Sequence, residues 1–250
     1  MRIEHPLPRH IPGLRKLWMD VFGDSEAYLD LFFSTGYSPE NCLCVEDNGG
    51  VATALYWMDM TYPGGKLAYI YAVATDPAHR GKGLCRHLMT KAHEILTNRD
   101  YAGAVLVPQG DSLFAMYEKF GYQPGSGIRE FTAAADKPIP LTPITAADYA
   151  AKRRSLLPQA VHLGESALAL LAGTVQFYEG EGILLACAKN EDTLFVPEYL
   201  GSQALAAGVP AALSCREGRF RSPGTDRPFA MFLPLHPDAE APGHLGFAFD

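Results

Sequence analysis

Apolar residues recur first at helical and then at strand spacing, and this change sets the predicted order of elements. The first helix is predicted from apolar residues three or four positions apart, closed by a glycine: Ile11, Leu14, Trp18, Val21 and Gly23. A second, shorter helix is predicted after Ser25, whose side chain can cap it. Strands are predicted at 42–45, 51–60 and 67–75, joined by glycine-rich turns that favour an antiparallel meander.

The chain then passes from a strand into a helix through a glycine loop, Gly81-Lys82-Gly83. A short strand is predicted at 104–107, parallel to 67–75, because a crossover helix separates the two. A short helix closed by Gly121 and an extended stretch at 128–132 complete the predicted first α/β unit. The helix after the loop is predicted from one apolar stripe: Leu84, Leu88, Ala92 and Ile95.

A proline-rich stretch, 137–143, suits a connector and places the predicted boundary between domains 1–136 and 137–250. The second domain is predicted to be a smaller α/β module that repeats the opening order in shortened form. No glycine loop of the first type recurs in it. Its predicted helices and strands are 145–157, 165–171, 182–189 and 193–199.

Composition narrows the class of protein. Hydrophobic residues make up 48% and charged residues 20% of the 250 positions, as in soluble globular proteins. The net charge of -7 argues against nucleic acid as a partner and favours cationic partners such as amines. No apolar run approaches the ~20 residues that span a bilayer, and the start lacks the stretch of a signal peptide. A cytoplasmic protein without a membrane partner is therefore expected.

The five cysteines are an odd number without a Cys-x-x-Cys pair, and we interpret them as reduced thiols. Cys42 and Cys44 would share one face of a strand, where two small buried side chains are favoured over a metal pair. No metal site is predicted.

The sharpest chemical signal is the segment Val73–Cys85, a strand end that runs into a helix start. Its glycines allow a close backbone approach, its helix start supplies free N–H groups, and Arg80 and Lys82 add positive charge. These features suit a diphosphate. An ordinary tight turn would also contain glycines, but strand, loop, apolar helix and a later tyrosine-bearing helix together favour the binding site.

At these residues the sequence resembles the Gcn5-related N-acetyltransferase (GNAT) superfamily, whose acetyl-CoA loop has the form Gln/Arg-x-x-Gly-x-Gly/Ala. Arg80 to Cys85 fit that form with Cys85 at the last position. In a frame shifted by two residues, Gly81 and Gly83 are the two glycines and Ala78 stands at the first position. The resemblance implies a mixed, mostly antiparallel sheet with flanking helices, an α/β (α+β) fold, and acetyl-CoA as co-substrate. The implied binding residues are Val73, Ala74, Thr75, Arg80, Gly81, Lys82, Gly83, Leu84 and Cys85.

The resemblance covers about residues 5–132 and continues in Leu113 to Tyr122, which is similar to the second motif of the family, Tyr-x-x-x-Gly-Phe/Tyr. Tyr117 matches the tyrosine that protonates the departing CoA thiolate. A phenol with a pKa near 10 stays protonated at neutral pH and can serve as that acid. The alternative is that Tyr117 and Phe114 form a core stripe of the helix.

The implied reaction is direct attack on acetyl-CoA by a primary amine of a small molecule or peptide, with a main-chain N–H near Val73 holding the thioester oxygen. Tyr69 stands where some relatives carry a glutamate, so a water-mediated base is expected. A terminal carboxylate, here Asp250, is the base in some multi-domain relatives. The acidic residues Asp59, Glu46 and Glu130 are expected to be solvated, and His79 to face solvent.

Two other functions stay open: a non-catalytic acyl-CoA sensor that uses the same loop, and an unrelated nucleotide-binding protein. The second lacks the phosphate loop Gly-x-x-x-x-Gly-Lys-Ser/Thr. The second half resembles a degenerate GNAT module, and we expect it to close the acceptor side of the first domain or to mediate homodimerisation.

Overall fold

The computed structural model describes residues 2–47 and 49–249 and divides into two compact units. The first unit comprises residues 1–123, 163–170 and 231–241, and the rest of the chain forms the second. Each unit is therefore built from segments that are distant in sequence. The roles predicted for 1–136 and 137–250 stay predictions.

The secondary structure follows in chain order. The strands are β1 (Ile3–Glu4), β2 (Cys42–Asp47), β3 (Gly50–Tyr62), β4 (Gly65–Thr75), β5 (Gly103–Leu106), β6 (Gln123–Pro124), β7 (Gly127–Ala134), β8 (Thr142–Ile144), β9 (His162–Leu163), β10 (Gln176–Gly180), β11 (Ile183–Asn190), β12 (Thr193–Gly201), β13 (Glu217–Pro223), β14 (Arg227–Pro228) and β15 (Met231–Pro234). The helices are α1 (Ile11–Phe22), α2 (Glu26–Thr35), α3 (Leu84–Asn98), α4 (Asp111–Glu118), α5 (Ala146–Leu156), α6 (Glu165–Ala172) and α7 (Gly208–Ala212).

The sheet of the first unit has the strand order β1-β2-β3-β4-β5-β15. Neighbours are antiparallel except β4 and β5, which pair in parallel. This confirms the predicted meander and the parallel crossover strand. Helix α3 lays its stripe, Leu88, Ala92 and Leu96, on the sheet, where all three are fully buried in the main core. The burial of this stripe fixes the start of α3 beside the end of β4.

The sheet of the second unit has the order β14-β7-β13-β12-β11-β10-β8. Strand β7 includes the stretch 128–132 that the sequence analysis grouped with the first unit. It pairs instead with β13 over residues 128–134, because a strand more than 80 residues later supplies the matching partners. As in the first unit, one neighbouring pair, β12 and β13, is parallel. The mixed, mostly antiparallel α/β fold is thereby confirmed for both units.

No helix in the described ranges is long and apolar enough to cross a membrane.

Candidate active site

Strand β4 is irregular where it approaches its end. Ala54 of β3 pairs with Ala74, but Tyr56 pairs with Tyr71, so one residue of β3 faces two residues of β4. This is a β-bulge, and Ala72 within it has a left-handed φ of 46°. A bulge bends the strand and turns its backbone groups away from the regular ladder. The strained position directly precedes Val73–Thr75, the segment predicted to meet the pantetheine arm and the thioester.

Strands β4 and β5 separate just before the bulge. Their parallel pairing ends at Tyr69 and Val105, whereas β4 continues to Thr75. In the described part of the chain, no strand pairs with β4 on that side beyond Tyr69. Its backbone N–H and C=O groups there can accept an extended ligand as an additional strand.

The glycine loop follows directly and leads into α3. Gly81 and Gly83 have φ angles of 75° and 77°, a region that favours glycine. Gly83 is the N-cap of α3, and the first hydrogen bond of the helix comes from the N–H of His87. The N–H groups of the three residues before His87 therefore have no acceptor within the helix, and they lie at the positive end of its dipole.

Arg80 and Lys82 add charge beside these N–H groups, and both are exposed. The Arg80 Nε donates to the carbonyl of Thr75 at 3.2 Å, which holds this side chain along the loop. A Cβ placed on Gly81 would meet nothing within 4 Å, so the loop opens to solvent. These N–H groups, the positive charge and the open space form a cradle at Gly81–Gly83 whose chemistry suits a diphosphate, and the binding of one stays a prediction.

The sequence analysis expected His79 to face solvent, but its ring lies between two carboxylates. Its Nε2 lies 2.9 Å from Oδ2 of Asp47, and its Nδ1 lies 3.2 Å from Oδ1 of Asp76. These hydrogen bonds, the one with Asp47 first, raise the pKa of the imidazole above 6.5. Only 21% of its side chain is exposed. The partner Asp47 lies 32 residues earlier in the chain, so the loop sequence alone does not reveal this contact.

Tyr117 lies on α4 and is 7% exposed, with its ring 5.7 Å from that of Tyr122. Burial raises the pKa of its phenol, and the nearby Cys85 raises it further. Burial likewise raises the pKa of the Cys85 thiol. The fold thus brings Tyr117 close to the first turn of α3, and both groups stay protonated at neutral pH. The ring also belongs to the core, with Phe114 packed against the same cluster, as the alternative interpretation expected, and the acid role stays a prediction.

None of the three carboxylates considered from sequence is a free base. Asp59 accepts hydrogen bonds from Tyr101 and Asn41 and pairs with Lys66 at 3.1 Å. Glu46 accepts from His10 at 2.9 Å. Glu130 lies in the second unit, where Arg227 and then Arg221 hold its pKa below the usual value. Asp250 lies outside the described residues.

Glu4, His10 and Glu46 bring potential metal ligands within 4.8 Å of one another. The Nδ1 of His10 accepts the N–H of Leu7 at 3.1 Å, so Nε2 carries the ring proton and donates it to Glu46. Arg9 also approaches both carboxylates. A protonated Nε2 has no lone pair for a metal, so His10 joins this group through its hydrogen bond to Glu46, and Arg9 supplies the ion pairs with Glu4 and Glu46.

An aromatic group that the sequence analysis missed lies on the other side of β4. The hydroxyls of Tyr28 and Tyr71 are 2.7 Å apart, which links α2 to the start of the bulge. Trp18 of α1 packs on Tyr71 at 5.4 Å and donates from Nε1 to Asp24 at 2.7 Å. This aromatic side of β4, formed by Trp18, Tyr28 and Tyr71, therefore combines aromatic faces with the carboxylate of Asp24. The two tyrosines are 43 residues apart, so no local motif contains them.

Comparisons with known proteins agree with this fold. A family model described as an acetyltransferase (GNAT) domain matches residues 4–125. Solved structures of GCN5-related N-acetyltransferases from Kribbella flavida and Anabaena variabilis are each 16% identical with a TM-score of 0.70. Both matches cover 94% of this chain, and 72% and 73% of the other chains. Eis1 from Mycobacterium abscessus matches at 12% identity and a TM-score of 0.67, with 94% and 74% covered. No curated protein matches the chain.

Proposed function

We propose that the chain, whose residues 4–125 match the model of an acetyltransferase (GNAT) domain, transfers the acetyl group of acetyl-CoA to a primary amine. The acceptor class is a small molecule or a peptide, and the amine attacks bound acetyl-CoA directly. The observation that carries the proposal is the position of the Gly81–Gly83 cradle at the end of β4, next to the separation from β5.

The cofactor has two contacts in this proposal. Its diphosphate binds the N–H groups at the start of α3, with Arg80 and Lys82 supplying charge. Its pantetheine arm runs along the unpaired side of β4, from Ile70 towards Thr75, as an added strand. No residue is assigned to the adenine and ribose of acetyl-CoA, because these groups take no part in acetyl transfer.

The reaction needs a donor for the thioester oxygen and a proton for the sulfur. A backbone N–H at the bulge, near Val73, stabilises the negative charge that develops on the oxygen when the amine nitrogen attacks. The C–S bond then breaks, and Tyr117 gives its phenolic proton to the departing thiolate. The attacking nitrogen, which is positively charged once the C–N bond has formed, loses its extra proton to water to give the amide, and the phenolate takes a proton back from solvent.

The incoming amine loses its first proton through water, because Glu46 and Asp59 are each occupied by a hydrogen bond or ion pair. The acceptor approaches from the aromatic side, where Asp24 offers a negative charge to a cationic substrate. A net charge of -7 supports this preference.

A second candidate function is an acyl-CoA sensor without turnover. The burial of Tyr117 within the core favours it, since packing by itself can account for a tyrosine at this position. Both functions need the same cradle, but only the transferase needs the phenolic proton.

The test is calorimetric titration of the full chain with acetyl-CoA. Gly83→Asp places a carboxylate in the cradle and should abolish binding by repelling the diphosphate. Gly23→Asp is the matched control, because Gly23 also has a left-handed φ, 74°, with nothing within 4 Å of an added Cβ. Binding by the control but not by Gly83→Asp supports the site. Failure of the unaltered protein to bind, or equal loss in both variants, contradicts the proposal.

A further inference from the structure

The second unit contains a pocket of about 720 Å³ within its own residues, a volume usual for small-molecule sites. It lies where β12 and β13 separate. Their parallel pairing ends at Val196 and Phe220, although β12 continues to Gly201 and β13 to Pro223. Tyr199 to Gly201 line one side of the pocket, and Ser222 with Pro223 line the other. The same relation of two parallel strands occurs at β4 and β5 in the first unit.

This pocket lacks the phosphate cradle of the first unit. Strand β12 runs into a short 3-10 turn, Gln203–Leu205, instead of a glycine loop and a long helix. Ser202 caps this turn, and its Oγ accepts the N–H of Ala204 at 3.4 Å. Within the described ranges, the next helix, α7, has five residues and no lining residue. A ligand of this pocket therefore carries no diphosphate.

The walls of the pocket are mostly apolar. Leu156 at the end of α5 is 57% exposed, and covering it would remove apolar surface from water. Leu184 and Leu200 are paired neighbours on β11 and β12. The apolar lining residues from the end of α5, the residue after it and three strands are Phe131, Leu156, Leu157, Ile183, Leu184 and Leu200.

The charged lining residues are two cations and one anion. Arg129 donates from Nε to Asp226 at 3.1 Å, and Lys152 pairs with Glu179 at 2.8 Å. A guanidinium has five N–H donors and an ammonium three, so both retain donors for a ligand carboxylate. Their present ion pairs are exposed and exchange partners at little cost. Among the lining residues the two cations outnumber the one anion, since Asp226 does not line the pocket, and their remaining donors beside an apolar wall match an anionic head group on an alkyl chain.

We propose that the second unit binds an apolar monocarboxylate of the alkanoate type where β12 and β13 separate. The alkyl chain lies against the leucine-rich wall, and the carboxylate meets Arg129 and Lys152. The site is independent of the acetyl-CoA site, and the ligand is held without chemical change.

The experiment titrates the full chain with decanoate by calorimetry, with decylammonium as the probe of opposite charge. Leu156→Asp places a carboxylate in the wall, and Leu7→Asp, at a leucine 47% exposed in the first unit, is the matched control. Decanoate should bind the unaltered protein and the control, and lose affinity about tenfold or more in Leu156→Asp, because a charge then faces the alkyl chain. Arg129→Gln should weaken decanoate binding and leave decylammonium unaffected.

Three results would overturn the proposal: no decanoate binding by the unaltered protein, equal affinity in both aspartate variants, or equal binding of decylammonium. Acetyl-CoA is titrated into the same samples. Because its proposed cradle lies in the first unit, its binding reports on the transferase proposal separately.

Discussion

The Nε2 of His79 lies 2.9 Å from the Oδ2 of Asp47, and this contact ties the loop before α3 to the end of β2. The other ring nitrogen faces Asp76, whose carboxylate also accepts the N–H of Ala78 at 2.8 Å. An imidazole donates from both nitrogens only when it is protonated. The anchoring of the cradle therefore depends on the charge of His79.

Acetyl-CoA affinity should fall as the pH rises through the pKa of His79. That pKa is raised above 6.5, chiefly by Asp47 and then Asp76, while Lys82 opposes the shift and Lys16 acts on Asp76. A raised pKa means that the anchoring is complete below 6.5 and is lost above the raised value. The measurement is the dissociation constant of acetyl-CoA by calorimetry between pH 6 and 9.

The control for this pH dependence is His79→Gln, which keeps one donor and does not titrate. The phosphates of acetyl-CoA contribute the same pH dependence to both proteins, so the difference reports on His79. Parallel curves would show that the imidazole does not position the loop.

Tyr117→Phe should lower kcat about a hundredfold and leave the KM for acetyl-CoA nearly unchanged, because only the proton donor is removed. No hydrogen bond of the Tyr117 hydroxyl occurs among the described residues, so the fold should tolerate phenylalanine. Steady-state kinetics with an accepted amine measure both constants.

Tyr122→Phe is the matched control for Tyr117. Its ring is fully buried next to Tyr117, and its hydroxyl meets Nε2 of His93 at 3.1 Å. Loss of this bond should lower stability and leave kcat intact. An active Tyr117→Phe enzyme would remove the acid role, and binding without turnover by the unaltered protein would favour the sensor.

Asp59→Asn should change kcat by less than about twofold, since Lys66 and Tyr101 already occupy its carboxylate and water takes the amine proton. The pH profile of kcat distinguishes proton transfer from the amine to water from direct abstraction of that proton by Asp59. Loss of the acidic limb of the profile in Asp59→Asn would identify Asp59 as the base instead.

The sequence predicts those parts of the molecule whose cause is local. The stripe from Leu84 to Ile95 and the glycines before it are local features, so α3 and its loop are predicted correctly. Thr145 is the N-cap of α5, and the predicted helix at 145–157 matches the observed Ala146–Leu156. Helix periodicity and turn chemistry act within a few residues and leave a readable pattern.

The remainder depends on partners that are distant in sequence. Strand β15 pairs with β5 across more than 120 residues and has four residues of its own, too few to show a period. The contacts of Tyr28 with Tyr71 and of His79 with Asp47 cannot be predicted from a local sequence pattern for the same reason. Register between distant strands is set by tertiary packing, which no single segment records.

The buried pair of Arg153 and Glu198 gives a prediction for the stability of the second unit. Arg153 Nε lies 2.6 Å from Glu198 Oε2, and Tyr149 also donates to this carboxylate. Arg153→Met leaves a buried charge without its partner and should lower the free energy of unfolding by about 3 to 5 kcal/mol. Chemical denaturation at pH 7 measures this loss. Lys152→Met on the same helix removes an exposed pair and should change it little.

The same pair predicts how stability depends on acid. Burial opposes the charge of Glu198, but Arg153 and then His244 outweigh it and hold its pKa at about 2, below the ordinary 4.5. A lowered pKa means that its contribution is present above pH 4.5 and is lost as the pH falls towards 2. The double variant Arg153→Met with Glu198→Gln should therefore lose stability less steeply in this range than the unaltered protein. Equal slopes in the two proteins would show that the pair does not titrate with unfolding.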